Sequence, residues 1–108
     1  MSEADTRPAN PLRGEASLLV AGRACRLRPT FSALVAAEED LGPLLALVER
    51  AGAGQLRLSE IASLFWYCLD DRGAAPREAV GEAVMQLGLA GCAAPLRTLL
   101  QQILRGSG

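Results

Sequence analysis

The chain contains no histidine and no lysine, and these two absences remove many of the usual tools of catalysis. Without imidazole there is no Ser-His-Asp or Cys-His pair, no imidazole-bound zinc, and no group whose ordinary pKa lies near neutrality for acid–base work. Aromatic residues are also scarce, at Phe31, Phe65, Trp66 and Tyr67. Cys25, Cys68 and Cys92 lie far apart among apolar neighbours with no Cys-x-x-Cys pair, which points to buried small hydrophobes in a reducing cytoplasm rather than to metal or disulfides. The longest apolar run, Leu64 to Leu69, is far short of a membrane span, and the N-terminus lacks the basic start and apolar core of a signal peptide. These absences predict a soluble, cytoplasmic protein with no cofactor, no metal and no small-molecule substrate.

What is present suits a small folded domain. Half of the 108 residues are hydrophobic and the net charge is −1, so disorder is excluded as the default and a core without staples is feasible. All 11 basic residues are arginine; with abundant Ala, Leu and Gly this resembles GC-rich bacterial coding. The arginines are spread thinly, which argues against nucleic acid as a partner. The expected organisation is a disordered tail at 1–10, one domain over 11–105, and a disordered end at 106–108.

The segment from Ala9 to Gly42 carries the clearest structural signal. Ala16, Leu18 and Val20 alternate with polar or outward positions, and Cys25 and Leu27 oppose Arg26 and Arg28, the period of two that marks half-buried strands. Ala21-Gly22 between them is a turn, with Gly22 free to take positive φ. Pro29 ends the second strand and Thr30 can cap a helix. That helix is expected to bury Phe31, Leu34, Val35 and Leu41 on one stripe. Glu38, Glu39 and Asp40 fall where the helix dipole disfavours them. They form either a solvated acidic turn or, for Glu38, a pair with an arginine of the hairpin.

The remainder reads as helices. Pro43 opens a short one with Leu44, Leu45, Leu47 and Val48 on its apolar face, ending at Gly52-Ala53-Gly54. Ser59 can cap a third, from Glu60 to about Asp71, with Ile61, Leu64, Phe65, Cys68 and Leu69 inward and Ser63 outward. A fourth starts at Pro76 with the stripe Val80, Val84 and Leu87 and is ended by Gly88 and Gly91; a fifth runs from about Ala93 to Leu104. The predicted fold is α+β and mostly α: an N-terminal two-stranded hairpin followed by four to five short helices packed as a small bundle.

Other chemistries find little support. Asp70 and Asp71 are adjacent and would point to different sides of a helix, and Ala51 to Gly54 lacks the Gly-Lys-Ser/Thr ending of a phosphate loop. A helix-turn-helix would need a shorter turn than Gly52 to Ser59, and basic or amide side chains where Glu60-Ile61-Ala62 stands. Two features point instead to protein partners. Trp66 and Tyr67 flank the buried stripe of the third helix, where they either complete the core or form a contact surface. The fifth helix has a weakly charged exterior beside Leu96, Leu99, Leu100 and Ile103. The candidate partner surface is therefore Trp66, Tyr67, Leu96, Leu99, Leu100 and Ile103.

Arg13-Gly14-Glu15, the strand end Leu27-Arg28-Pro29-Thr30-Phe31, then Ala33-Leu34, Glu38 and Leu41-Gly42 resemble the N-terminal signature of small gene-transfer-agent and phage tail proteins, a family classed with tail assembly chaperones. Leu58-Ser59-Glu60-Ile61 and Asp71-Arg72-Gly73 also fall where that family places them, and the resemblance spans nearly everything after Pro8. It implies a non-enzymatic role in phage-like tail assembly. The expected role is a chaperone that binds the tape measure or tail tube protein; the alternative is a structural subunit of the tail tube or terminus, with room for a homo-oligomer.

Overall fold

The computed structural model describes residues 15–105 except 72 and 74. The expected disordered tails, the Arg13-Gly14 part of the motif and Arg72 lie outside the described residues.

The hairpin forms as the alternation predicts. Strand β1 (Ala16–Val20) buries Ala16, Leu18 and Val20 and exposes Ser17 and Leu19. It pairs antiparallel with β2 (Arg23–Leu27), Ala16 opposite Leu27 and Val20 opposite Arg23. Ala21 and Gly22 turn the chain with φ of 51° and 81°, the left-handed pair that matches the twist of the flanking strands. Glycine takes this region freely, whereas alanine does so at a steric cost.

Helix α1 (Phe31–Leu41) starts at Thr30, whose hydroxyl accepts the Ala33 N–H at 3.2 Å. Its inward face differs from the expected one. Ala33 and Ala37 are buried, Leu34 and Leu41 are only partly buried, and Phe31 is 84% and Val35 38% exposed. The buried stripe is thus rotated by about one residue, or ~100°. Small side chains let α1 lie close on α3 (Leu58–Cys68), the helix it contacts most. This face makes a testable difference. Ala37→Leu is expected to lower stability by about 1–3 kcal/mol through overpacking, whereas Phe31→Ala should stay within about 0.5 kcal/mol; urea midpoints of the dilute, monomeric chain measure both.

Glu38 does not pair with the hairpin. Its carboxylate accepts the Leu44 N–H at 3.1 Å, capping helix α2 (Leu44–Gly52) across the Gly42-Pro43 turn. Arg26 and Arg28 go to Asp70 instead, and Arg28 also meets Glu15 at 3.3 Å. In α2, Leu47 is buried while Leu45 is 63% exposed.

Helix α3 begins at Leu58, ahead of the expected cap Ser59, because Glu60 reaches back to accept the Arg57 N–H at 2.8 Å. Ile61, Leu64, Phe65 and Cys68 face inward as expected, but so does Ser63, placed outward from sequence. The helix stops at Cys68 because the next residues join the sheet edge. Leu69 bridges Leu27, the Asp70 N–H donates to the Arg26 carbonyl at 2.9 Å, and the Arg28 N–H donates to the Cys68 carbonyl at 2.6 Å.

The expected fourth and fifth helices are two segments, 77–87 and 89–105, of α4 (Arg77–Arg105), joined at Gly88 with φ 83° and ψ 156°. That conformation is open to glycine and strained for other residues. Val80 and Val84 are buried, but Leu87, assigned to the same stripe, is 46% exposed. The break at Gly91 does not occur: Gly91 is helical, and the second segment starts earlier than Ala93.

By length and composition α4 could cross a membrane, with a mean hydropathy of 1.3 in its most apolar window, a property the longest apolar run did not reveal. The Gly88 bend divides it, and neither segment reaches the ~20 residues of a typical span. Both α3 and β1 pack against α4. The core lies where the hairpin meets α3 and α4, with Leu27, Leu64, Phe65, Val80, Val84 and Leu99 fully buried.

Candidate functional site

The rotated face of α1 leaves an apolar groove on the surface. One side is α1 and α2, and the other is the 89–105 segment of α4. Two adjoining hollows share Val48 and Leu104. The first, about 390 Å³, is walled by Phe31, Leu34, Val35, Leu44, Leu45 and Ile103, with Glu38 at its margin. The second, about 340 Å³, has the small residues Ala51, Gly52 and Ala93 beside Leu96 and Leu100, with Arg97 and Gln101 at the rim. Leu45 and Leu104 stand 63% and 58% exposed along this groove.

Of the six residues singled out from sequence, Leu96 and Leu100 line the second hollow and Ile103 the first. Leu99 is fully buried and belongs to the core. Trp66 and Tyr67 lie in a different cluster. The Trp66 Nε1–H donates to the Ala75 carbonyl at 3.1 Å, the Tyr67 hydroxyl donates to Asp40 at 3.0 Å, and the two rings meet edge to face. The Arg77 guanidinium lies 4.5 Å from the Trp66 ring centre and 5.0 Å from that of Tyr67, and also donates to Asp40 at 3.1 Å. This combination of cation–π contact and charged hydrogen bonds fastens α1, α3 and the start of α4 together. The structure thus joins the α4 residues to α1 and α2, and separates them from the aromatic flank.

Sequence reasoning missed Phe31, Val35, Leu45 and Leu104 as surface residues. The available signal was Ala33 and Ala37, spaced by one turn: small side chains at i and i+4 can be the packed face even when larger neighbours look more hydrophobic.

One charged contact ties a wall of the groove to the core, and another fastens the sheet edge. Arg50 of α2 makes a two-pronged bond to Glu60 of α3, at 2.8 and 2.7 Å. That hydrogen bond, with the one from the Arg57 N–H, lowers the Glu60 carboxyl to about 2. At the sheet edge, burial pushes Asp70 upward, but the hydrogen bonds from Arg26 and Arg28 outweigh it and hold the carboxyl below its ordinary value. Burial raises the Cys92 thiol, which favours its protonated, inert form. Among the described residues there is no cluster of metal-ligating groups.

A small, mostly helical domain bearing an N-terminal hairpin and an open apolar groove has the features of a protein built around contacts with other proteins. Residues 13–106 match the family model described as phage tail tube protein, GTA-gp10, and the chain belongs to that family. It is a family of structural phage tail proteins and not a known enzyme family. The match extends through α4, beyond the region where the sequence motifs are most distinctive. No curated protein and no solved structure gives a match.

Proposed function

We propose that this protein is a structural subunit of a gene-transfer-agent or phage-like tail, retained in the tail tube or at its terminus. The observation that carries this reading is the match to a tail tube family over nearly the whole chain. It needs no cofactor, substrate or nucleic acid; its partners are other tail proteins, and it is made in the bacterial cytoplasm before joining the particle. The fold suits the role, because an apolar, weakly charged face can be covered when neighbouring subunits assemble.

The open groove supports a second reading, a tail assembly chaperone that holds the tape measure or tail tube protein until the tube forms. A groove lined by Phe31, Leu45, Leu100 and Leu104 could receive the apolar face of an amphipathic helix. Quantitative mass spectrometry of purified particles separates the two. The structural role predicts a fixed ratio to the tail tube protein. Abundance in producing cells with absence from particles would overturn it in favour of the chaperone, which should then co-purify with the tape measure on co-expression.

A further inference from the structure

The two ends of the groove are not alike. At the α1 end Phe31 projects, 84% exposed, with Glu38 nearby. At the other end is a hollow in which the small residues Ala51, Gly52 and Ala93 stand beside Leu96 and Leu100, with Arg97 also lining it. Glu38 uses one carboxylate oxygen on the Leu44 N–H, which leaves the other for a cation. Arg97 has no ion-pair partner among the described residues.

We propose that this face seats a second copy of the chain, related by a two-fold axis through the middle of the groove near Val48 and Leu104. Such an axis exchanges the ends. Phe31 of each copy enters the small-walled hollow of the other, and Glu38 of each faces Arg97 of the other, so one surface supplies both knob and hole and both charges. Val48 and Leu104 close the centre. The charge order disfavours a parallel arrangement, which would set Glu38 against Glu38 and Arg97 against Arg97. The dimer concerns the free chain and is independent of whether the protein remains in the particle.

Sedimentation equilibrium of the purified full chain, from micromolar to submillimolar concentration, tests the proposal. The expected species has twice the 11.3 kDa mass of the chain. Phe31→Ser and Arg97→Glu should each weaken it about tenfold or more, with unchanged far-UV circular dichroism and with melting unchanged at dilutions where the parent is monomeric. Glu38→Arg should weaken it too, and because that change removes a helix cap the decisive sample is a mixture: Glu38→Arg with Arg97→Glu restores both charge pairs and should recover the dimer. A chain that stays monomeric throughout overturns the proposal and leaves the groove to a tail partner. So does a dimer indifferent to Phe31→Ser and Arg97→Glu, or a mixture that fails to recover.

Discussion

Phe65→Ala is expected to lower the unfolding free energy by about 3–5 kcal/mol, a large part of the ~5–15 kcal/mol that holds a typical domain together. Phe65 is fully buried in the middle of α3, and α3 is the element on which both α1 and α4 rest. Removing the ring takes away its burial and leaves a cavity that helices fixed on several sides cannot fully close. Trp66 and Tyr67 pack against the same core but are only partly buried and are held by their own bonds to Ala75 and Asp40, so neither ring can swing in to fill the space. Urea denaturation of the chain at dilutions where it is monomeric should show the midpoint fall steeply, with Leu104→Ala as the control: its side chain is 58% exposed in the groove, and its loss should change the stability of the monomer by no more than about 0.5 kcal/mol. Equal effects from the two would contradict the division between core and groove. The contrast also guards functional experiments, since a groove variant that abolishes a contact without moving the midpoint acts at the surface.

Local signals in the sequence are plain where one residue type decides the conformation. Gly22 in the turn, Pro29 after β2, Thr30 at the start of α1 and Gly88 in α4 all mark real changes of direction. These are properties of single residues or dipeptides. The inward face of α1 was harder to read, because hydrophobicity ranks Phe31 and Val35 above Ala33 and Ala37, while the close contact with α3 favours the smaller pair. Which stripe is buried depends on the neighbouring helix, and that is not a local property. The same reason explains the candidate site. Leu96, Leu100 and Ile103 were recognisable from the spacing of one helix, but the opposite wall comes from α1 and α2, brought to them only by the folded chain. For Trp66 and Tyr67 the sequence leaves core and contact surface both open; the rings pack partly against the core, and nothing in their own helix shows that Asp40 and Arg77 come to meet them.

Glu60→Ala is expected to cost about 2–3 kcal/mol, because one carboxylate performs two tasks. Its Oε1 accepts from the Arg57 N–H and from Arg50, and its Oε2 takes the second Arg50 bond. Truncation uncaps α3 and leaves Arg50 without this partner at a site where the Glu60 side chain is only 15% exposed. Glu60→Gln keeps an acceptor and should cost less. The pair also makes stability depend on pH in a defined direction. Hydrogen bonding to Arg50 and then to the Arg57 N–H depresses the folded carboxyl to about 2, from an ordinary value of 4.5. A depressed pKa means that the unfolded chain takes up the proton first, so the contribution is complete above 4.5 and fades as pH falls towards 2. Asp70 is lowered as well, so the informative quantity is the difference between the parent and Glu60→Gln. That difference in urea midpoint should be constant above pH 5 and shrink below 4.5; a difference that does not vary with pH would show that the Arg50–Glu60 pair contributes nothing through its charge. Since α2 forms one wall of the groove and this pair ties it to α3, hydrogen exchange over 44–52 should quicken in Glu60→Ala before the core opens.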